Sequence, residues 1–342
     1  MKRKTISLVF SLLLSGILLF YLFSRIEFSR FQQILTSLFW PFLLAYIIIA
    51  FLASLFRTWR YQLLLKPRTT RTRDFLLVTL IRNLFVDLLP ARLGSLSYVY
   101  LTNRSLSFPF QAAASSFLLA FLFDFLTLTP FLVIAILWVG LEQTPLASSY
   151  LILISVVFLG VVFFVFSQLA KILHILTLFF SQIEQSSKIR NRAKLHQAIF
   201  VIREKIEATA KELDRTKNNH NSWWIFILSL IIRALKYLSL YFLLSALLQP
   251  QLFSSFSLNF WTTILAITGA ELTSILPIKG IAGFGTWEAA WALSLNLMGY
   301  NAELAIISGL GLHLITNLYE YSLGILAMLI LALRSNPRIH SN

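Results

Sequence analysis

The chain has 342 residues, of which 58% are hydrophobic and 13% charged, with 31 Phe and a mean hydropathy of +0.77, an apolar load that excludes a soluble globular domain. Its net charge of +15, from 29 Lys and Arg against 14 Asp and Glu, is gathered in short hydrophilic stretches. That pattern orients a membrane protein and leaves no basic domain large enough for nucleic acid, while the absence of Cys removes disulfides, thiolate catalysis and Cys-based zinc sites.

Lys2-Arg3-Lys4 precedes an apolar run from Thr5 to Phe23 with no small-residue cleavage site before Arg25, which reads as an uncleaved signal anchor. A second span is expected over 39–56, held at its cytoplasmic end by a basic loop containing Arg57, Arg60, Lys66, Arg68, Arg71 and Arg73. Residues 75–102 are apolar but broken at Pro90 and Gly94. Each piece is shorter than the roughly 20 residues that cross a bilayer, so a re-entrant helical hairpin entering from the cytoplasm is predicted. A long span follows over 111–139, containing Asp124 and a kink at Pro130. The next loop carries Glu142 and no basic residue, which suits the outside, and 150–169 crosses back.

The stretch 171–222 is hydrophilic and basic, and Leu195, Ile199, Ile202, Ile206 and Leu213 recur in it at helical spacing. A cytoplasmic amphipathic helix near 189–215 is expected. It packs on the protein's own base or on headgroups, or else docks a partner. Trp223 to Leu248 crosses outward with Arg233 and Lys236 near its middle. Residues 259–300 form a second broken hairpin, or a pair of thin spans, around Pro277, Lys279, Gly280, Gly283 and Gly285, and 303–333 crosses to a short basic tail. The expected architecture is one all-α integral membrane domain over 1–342, with about six transmembrane helices and two opposed re-entrant hairpins forming an inverted repeat. Both termini and the basic loops then lie in the cytoplasm, and a bacterial inner membrane is the expected setting.

Non-helical backbone at membrane depth survives only where protein buries it or a wet cavity solvates it, so the two breaks are site candidates. At these residues the chain resembles the flippase-like family that includes the transmembrane region of lysylphosphatidylglycerol synthase. The likeness rests on Asn83 followed by Leu89-Pro90-Ala91-Arg92-Leu93-Gly94, on Leu276-Pro277-Ile278 with Gly283-Phe284-Gly285-Thr286-Trp287-Glu288, and on Phe123-Asp124-Phe125-Leu126. Two positions depart from the family pattern: Ser95 stands where many members have Glu, and Trp287 where many have Arg. The resemblance implies a domain that handles a lipid or lipid-linked molecule, with movement of that molecule between leaflets as the expected activity. It does not imply synthase activity, since the soluble aminoacyl-transferase domain of the full synthase is expected to be missing.

Ionisable groups at membrane depth cost about 2.5–3.5 kcal/mol each on insertion scales, so each asks for a partner or a cavity. The candidates are Arg82, Asp87, Arg92, Asp124, Arg233, Lys236, Glu271, Lys279, Glu288, His313 and Glu320. Arg92 and Lys279 each follow the proline of a break, where a half-helix terminus and a cation together favour a phosphate. In the reading adopted, they hold the phosphate of an amphiphile with an anionic head, and Asp124 and Glu288 orient the cations. Pro90, Gly94, Pro277, Gly280, Gly283 and Gly285 make the tight turns, and Arg82, Arg233 and Lys236 line the path.

Internal ion pairing is the plainer reading for each group: Asp124 with Arg82 or Arg92, and Arg233 and Lys236 with Glu271 or Glu288. His313, Asn317 and Glu320 share one helical face, where hydrogen bonding to a neighbour competes with proton coupling. No catalytic, nucleotide-binding or metal-ligand motif is present and no cofactor is expected. A membrane enzyme using Asp124 or Glu288 as base, and a non-catalytic subunit of an envelope-synthesis complex, are the alternatives to a carrier.

Overall fold

In the computed structural model the described residues are 2–65, 71–88, 94–143, 145–185, 193–217, 222–248, 259–273 and 280–335. They are helical, with no strand among them. In chain order the helices are α1 (Lys2–Phe23), α2 (Phe28–Thr36), α3 (Trp40–Leu65), α4 (Thr72–Leu88), α5 (Ser97–Ser105), α6 (Phe110–Gln143) and α7 (Pro145–Gln185). They continue as α8 (Ala193–Lys217), α9 (Ser222–Leu247), α10 (Phe260–Leu272), α11 (Thr286–Leu297) and α12 (Ala302–Ser335).

Four of these are long and apolar enough to cross a bilayer: 40–65, 110–139, 223–247 and 302–334. A fifth candidate is the pair 159–169 and 171–185 within α7, bent by 61°. The chain is therefore a multi-pass membrane protein. α4, α5, α10 and α11, with 17, 9, 13 and 12 residues, are each too short to cross alone.

Local chemistry explains where the short helices stop and start. The Asn259 side chain accepts the Thr262 amide at 2.7 Å and caps α10. Gly285, at φ +85°, precedes α11, and its amide donates to Glu288 Oε2 at 2.8 Å, which closes the first turn. A 3-10 turn at Ile281–Gly283 leads into it. At the other break, a Cβ on Gly94 would lie 1.5 Å from the Phe85 carbonyl oxygen, so only glycine lets the chain after α4 fold back this closely.

The packing is reciprocal. α3 lies along α9; α4, from the first broken segment, packs on α12; and α10, from the second, packs on α6. Glycines on α12 permit the close approaches: a Cβ at Gly324 would meet Leu84 Cβ at 2.4 Å, and one at Gly309 would meet the Trp291 ring at 2.6 Å. The main apolar core gathers Tyr237, Leu243, Ile264, Trp291 and Leu310 from α9 to α12, and a second gathers Tyr61, Tyr98, Phe123 and Leu213. Arg30 bonds Glu303 at 2.8 Å at one end of α12, and Arg334 bonds Asp74 at 2.7 Å at the other.

Three expectations need correction. The second helix does not stop at residue 56: α3 runs to Leu65, so Arg57 and Arg60 are helix residues and not loop anchors. The fourth long helix does not stop at 169 but continues, bent, to Gln185. The short α2 was not anticipated. Pro130 lies inside α6 without ending it. The amphipathic helix near 189–215 is α8, packed on α6 and α7, where Ile199, Ala210 and Leu213 are buried.

Candidate functional site

A cavity of about 210 Å³ lies where α3, α4, α6, α9, α10, α11 and α12 meet, and its wall is unusually rich in charge for a membrane domain. Arg57, Arg82, Arg233 and Lys236 supply positive charge; Asp124, Glu271 and Glu320 supply negative charge; Tyr46, Trp287, His313 and Tyr319 complete much of the rest. They come from several helices: Tyr46 and Arg57 from α3, Arg82 from α4, Asp124 from α6, Arg233 and Lys236 from α9, Glu271 from α10, Trp287 from α11, and His313, Tyr319 and Glu320 from α12.

The charges fall into groups. Arg60 is fully buried, donates to Asp124 Oδ1 at 2.5 Å, and reaches Ser229 Oγ at 2.9 Å. Asp124 therefore pairs with Arg60, and Arg82 does not take that role as expected, while Arg92 lies outside the described residues; Arg233 also donates to the Asp124 backbone carbonyl at 2.5 Å. Glu271 is the counter-ion shared by Arg233, at 3.4 Å, and Lys236.

Arg57 and Arg82 are different. Both donate to one acceptor, Asn83 Oδ1, at 2.9 and 3.3 Å, and Asn83 in turn donates to Ser54 Oγ at 3.4 Å. Among the described residues neither arginine has a carboxylate at ion-pair distance, and the buried Nε of each has no hydrogen-bond partner. Two guanidinium groups are thus gathered at a neutral amide, with donor capacity left over.

Glu288 is fully buried, and its partners among the described residues are Gly285 and His313. Its Oε2 accepts the Gly285 amide, and its Oε1 lies 2.6 Å from His313 Nδ1. The His313 ring stacks on Trp287 with centroids 5.1 Å apart and lies 4.6 Å from the Phe284 ring. Tyr319 donates to the Ile47 carbonyl at 3.3 Å and packs edge-on against Tyr46.

Of the sequence-predicted site residues, Arg82, Asp124, Arg233 and Lys236 line this single cavity, and Glu288 sits behind Trp287 and His313. Gly94, Gly280, Gly283 and Gly285 all stand in tight turns; a Cβ at Gly280 would come within 1.9 Å of the Phe284 carbonyl oxygen. Pro90, Arg92, Pro277 and Lys279 lie outside the described residues, as does the side chain of Asp87. The sequence reading missed Arg57 and Arg60 as interior groups. Their spacing with Ser54, Thr58, Tyr61 and Leu64 along one buried helical stripe was the available signal.

No group of three or more His, Asp or Glu residues suited to a metal ion occurs among the described residues. With Asp124 committed to Arg60, and Glu288 to the Gly285 amide and His313, neither carboxylate stands apart from strong partners. The arrangement is suited to holding an anion among cations in a restricted polar space.

Comparison with known proteins gives one match. A family model described as the lysylphosphatidylglycerol synthase TM region matches residues 8–324. No curated protein and no solved structure matches the chain.

Proposed function

We propose that this chain, which belongs to the lysylphosphatidylglycerol synthase transmembrane-region family, binds the anionic head of a membrane lipid in the central cavity and carries it between leaflets. The observation that supports this reading is the pair Arg57 and Arg82, gathered at Asn83 with no carboxylate partner among the described residues. A half-buried cation at membrane depth without a counter-ion is costly, and a phosphate that accepts from both guanidinium groups reduces that cost. Arg233 and Lys236, already shared with Glu271, would orient the head, and Arg92 and Lys279, outside the described residues, are proposed as further cations for the phosphate.

For translocation, the proposal takes the short helices α4–α5 and α10–α11 as re-entrant hairpins among about six spans. The reciprocal packing of α3 on α9, α4 on α12 and α10 on α6 favours two inverted repeats that rock about the cavity. Basic loops on one side favour a bacterial inner membrane with both termini cytoplasmic. The lipid class is a phospholipid or a polyprenyl-phosphate type.

The test is reconstitution of the full chain in proteoliposomes and measurement of labelled phosphatidylglycerol moving between leaflets. Arg57→Ala and Arg82→Ala are each expected to cut the rate at least about tenfold, the loss of one charge-assisted bond. Undiminished movement in both variants would remove the site. A second reading is a subunit that docks a partner, and the exposure of Leu195, Phe200, Val201 and Ile202 on α8 favours it. Lipid movement that persists when that stripe is made polar, with loss of envelope synthesis in cells, would select it.

A further inference from the structure

We infer that the His313–Glu288 pair is a proton-binding site coupled to the cavity, so that one proton is taken up with each anionic head bound. This rests on the headgroup reading above and adds its energetics: the class of transport becomes proton-coupled.

The geometry is that of an oriented imidazole. Glu288 is wholly buried and fixed by the Gly285 amide, and its other oxygen lies 2.6 Å from His313 Nδ1. A neutral His313 therefore donates through Nδ1 and leaves Nε2 as the atom that accepts a proton. Nε2 has no hydrogen-bond partner among the described residues, although the side chain is only 5% exposed and lines the cavity. Trp287 and Phe284 hold the ring on two sides, which fixes its direction.

The pair also reaches the moving part of the proposed carrier. Gly283, at φ +82°, lies so close to the ring that a Cβ there would stand 3.3 Å from His313 Cε1, and Ala282 holds φ +53° beside it. The turn that admits α11 is thus clamped between Glu288 and His313, and a proton added to Nε2 converts the hydrogen bond between a carboxylate and a neutral imidazole into an ion pair.

Other charged and titratable groups share the space: Tyr46 and Arg57 on α3, Arg82 on α4, Asp124 on α6, and Arg233 and Lys236 on α9. Glu271 on α10 and Tyr319 and Glu320 on α12 complete them. Asp124 and Glu271 are held by cations. An anion among Arg57 and Arg82 and a proton on Nε2 stabilise one another across a low-dielectric space, and linkage makes the effect reciprocal. The step is balanced: hydronium gives the proton, one of its O–H bonds breaks as one N–H bond forms at Nε2, and water is released.

The experiment is calorimetric titration of dihexanoylphosphatidylglycerol into the detergent-solubilised full chain, in two buffers of different ionisation enthalpy, at about pH 6, 7 and 8. The phosphodiester of this lipid does not titrate in that range, so proton exchange reports on the protein. Uptake of up to about one proton per lipid is expected, with affinity falling as the pH is raised, by up to about tenfold per pH unit where uptake approaches one. In His313→Gln the uptake is lost, and affinity becomes the same at every pH. Binding without proton exchange in the unaltered protein would overturn the inference while leaving the headgroup reading intact, and so would uptake lost in Glu320→Gln but kept in His313→Gln. No binding at any pH would remove the headgroup reading itself and the inference with it.

Discussion

Arg60 donates to the Asp124 carboxylate at 2.5 Å, with its own side chain fully shielded from solvent, and so fixes α3 against α6 at the level of the cavity. Arg233 adds a bond to the Asp124 carbonyl from α9, and Ser229 from the same helix accepts from Arg60. Three helices are joined through one ion pair. Breaking such a pair leaves an uncompensated buried charge, which costs about 3–5 kcal/mol, whereas replacing both partners with apolar groups is far milder. Asp124→Ala is therefore expected to lower thermal stability in detergent sharply, and Arg60→Met combined with Asp124→Leu to recover most of the loss. Equal destabilisation by the single and double replacements would contradict this assignment.

A second prediction concerns the amide between the two cations. Asn83→Asp places a carboxylate at hydrogen-bond distance from both Arg57 and Arg82, which now share a neutral oxygen. Stability is expected to rise, by about 1–3 kcal/mol for hydrogen bonds newly made to a charged group. Affinity for phosphatidylglycerol is expected to fall at least about tenfold, because the internal carboxylate takes the donors the phosphate would use. Thermal unfolding and lipid titration on the same preparation would read the two opposite signs. A loss of both would mean that Asn83 serves packing alone.

These two predictions also show what the sequence made legible. The interruptions at Pro90 and Pro277, and the ionisable residues around them, were visible because a bilayer tolerates neither without a reason. Arg82, Asp124, Arg233 and Lys236 do converge on one cavity. Arg57 and Arg60 were misplaced because hydropathy falls at the end of an apolar run, while the helix itself continues to Leu65 with Thr58, Tyr61 and Leu64 still facing inward. The same confusion of a hydropathy boundary with a helix boundary shortened α7 at Lys171. Partner choice was not legible. Asp124 had several arginines within plausible reach, and only the crossing of α3, α6 and α9 selects Arg60.

The glycines separate into graded cases that a single series can test. Gly94→Ala would drive a Cβ to 1.5 Å from the Phe85 carbonyl oxygen, a collision with backbone that no rotamer change relieves. Loss of folded protein is expected. Gly299→Ala meets no atom within 4 Å but requires φ +85°, so it should cost only the left-handed strain of about 1–2 kcal/mol. Gly160→Ala meets nothing within 4 Å at a helical position and should be neutral or stabilising by about 0.5–1 kcal/mol. Folded yield by size-exclusion chromatography and thermal unfolding would order the three, and Gly94→Ala behaving like Gly160→Ala would refute the turn geometry.

The last prediction reverses the sign of the second. Glu271 is the carboxylate that Arg233, at 3.4 Å, and Lys236 share at the cavity wall. Glu271→Gln keeps the shape and one acceptor oxygen but removes the negative charge, so the wall gains net positive charge. Two part-buried cations without their counter-ion should lower thermal stability, and the same surplus should raise affinity for phosphatidylglycerol several-fold. Zwitterionic phosphatidylcholine should gain little, because its choline cation meets the added positive charge. If charge in this cavity selects the lipid, Asn83→Asp and Glu271→Gln must move affinity in opposite directions, and both changes must shrink as salt is raised, since mobile ions that reach the cavity screen the attraction. Affinities that move together, or a Glu271→Gln variant that gains equally for both lipids, would show that shape and not charge governs what the cavity accepts.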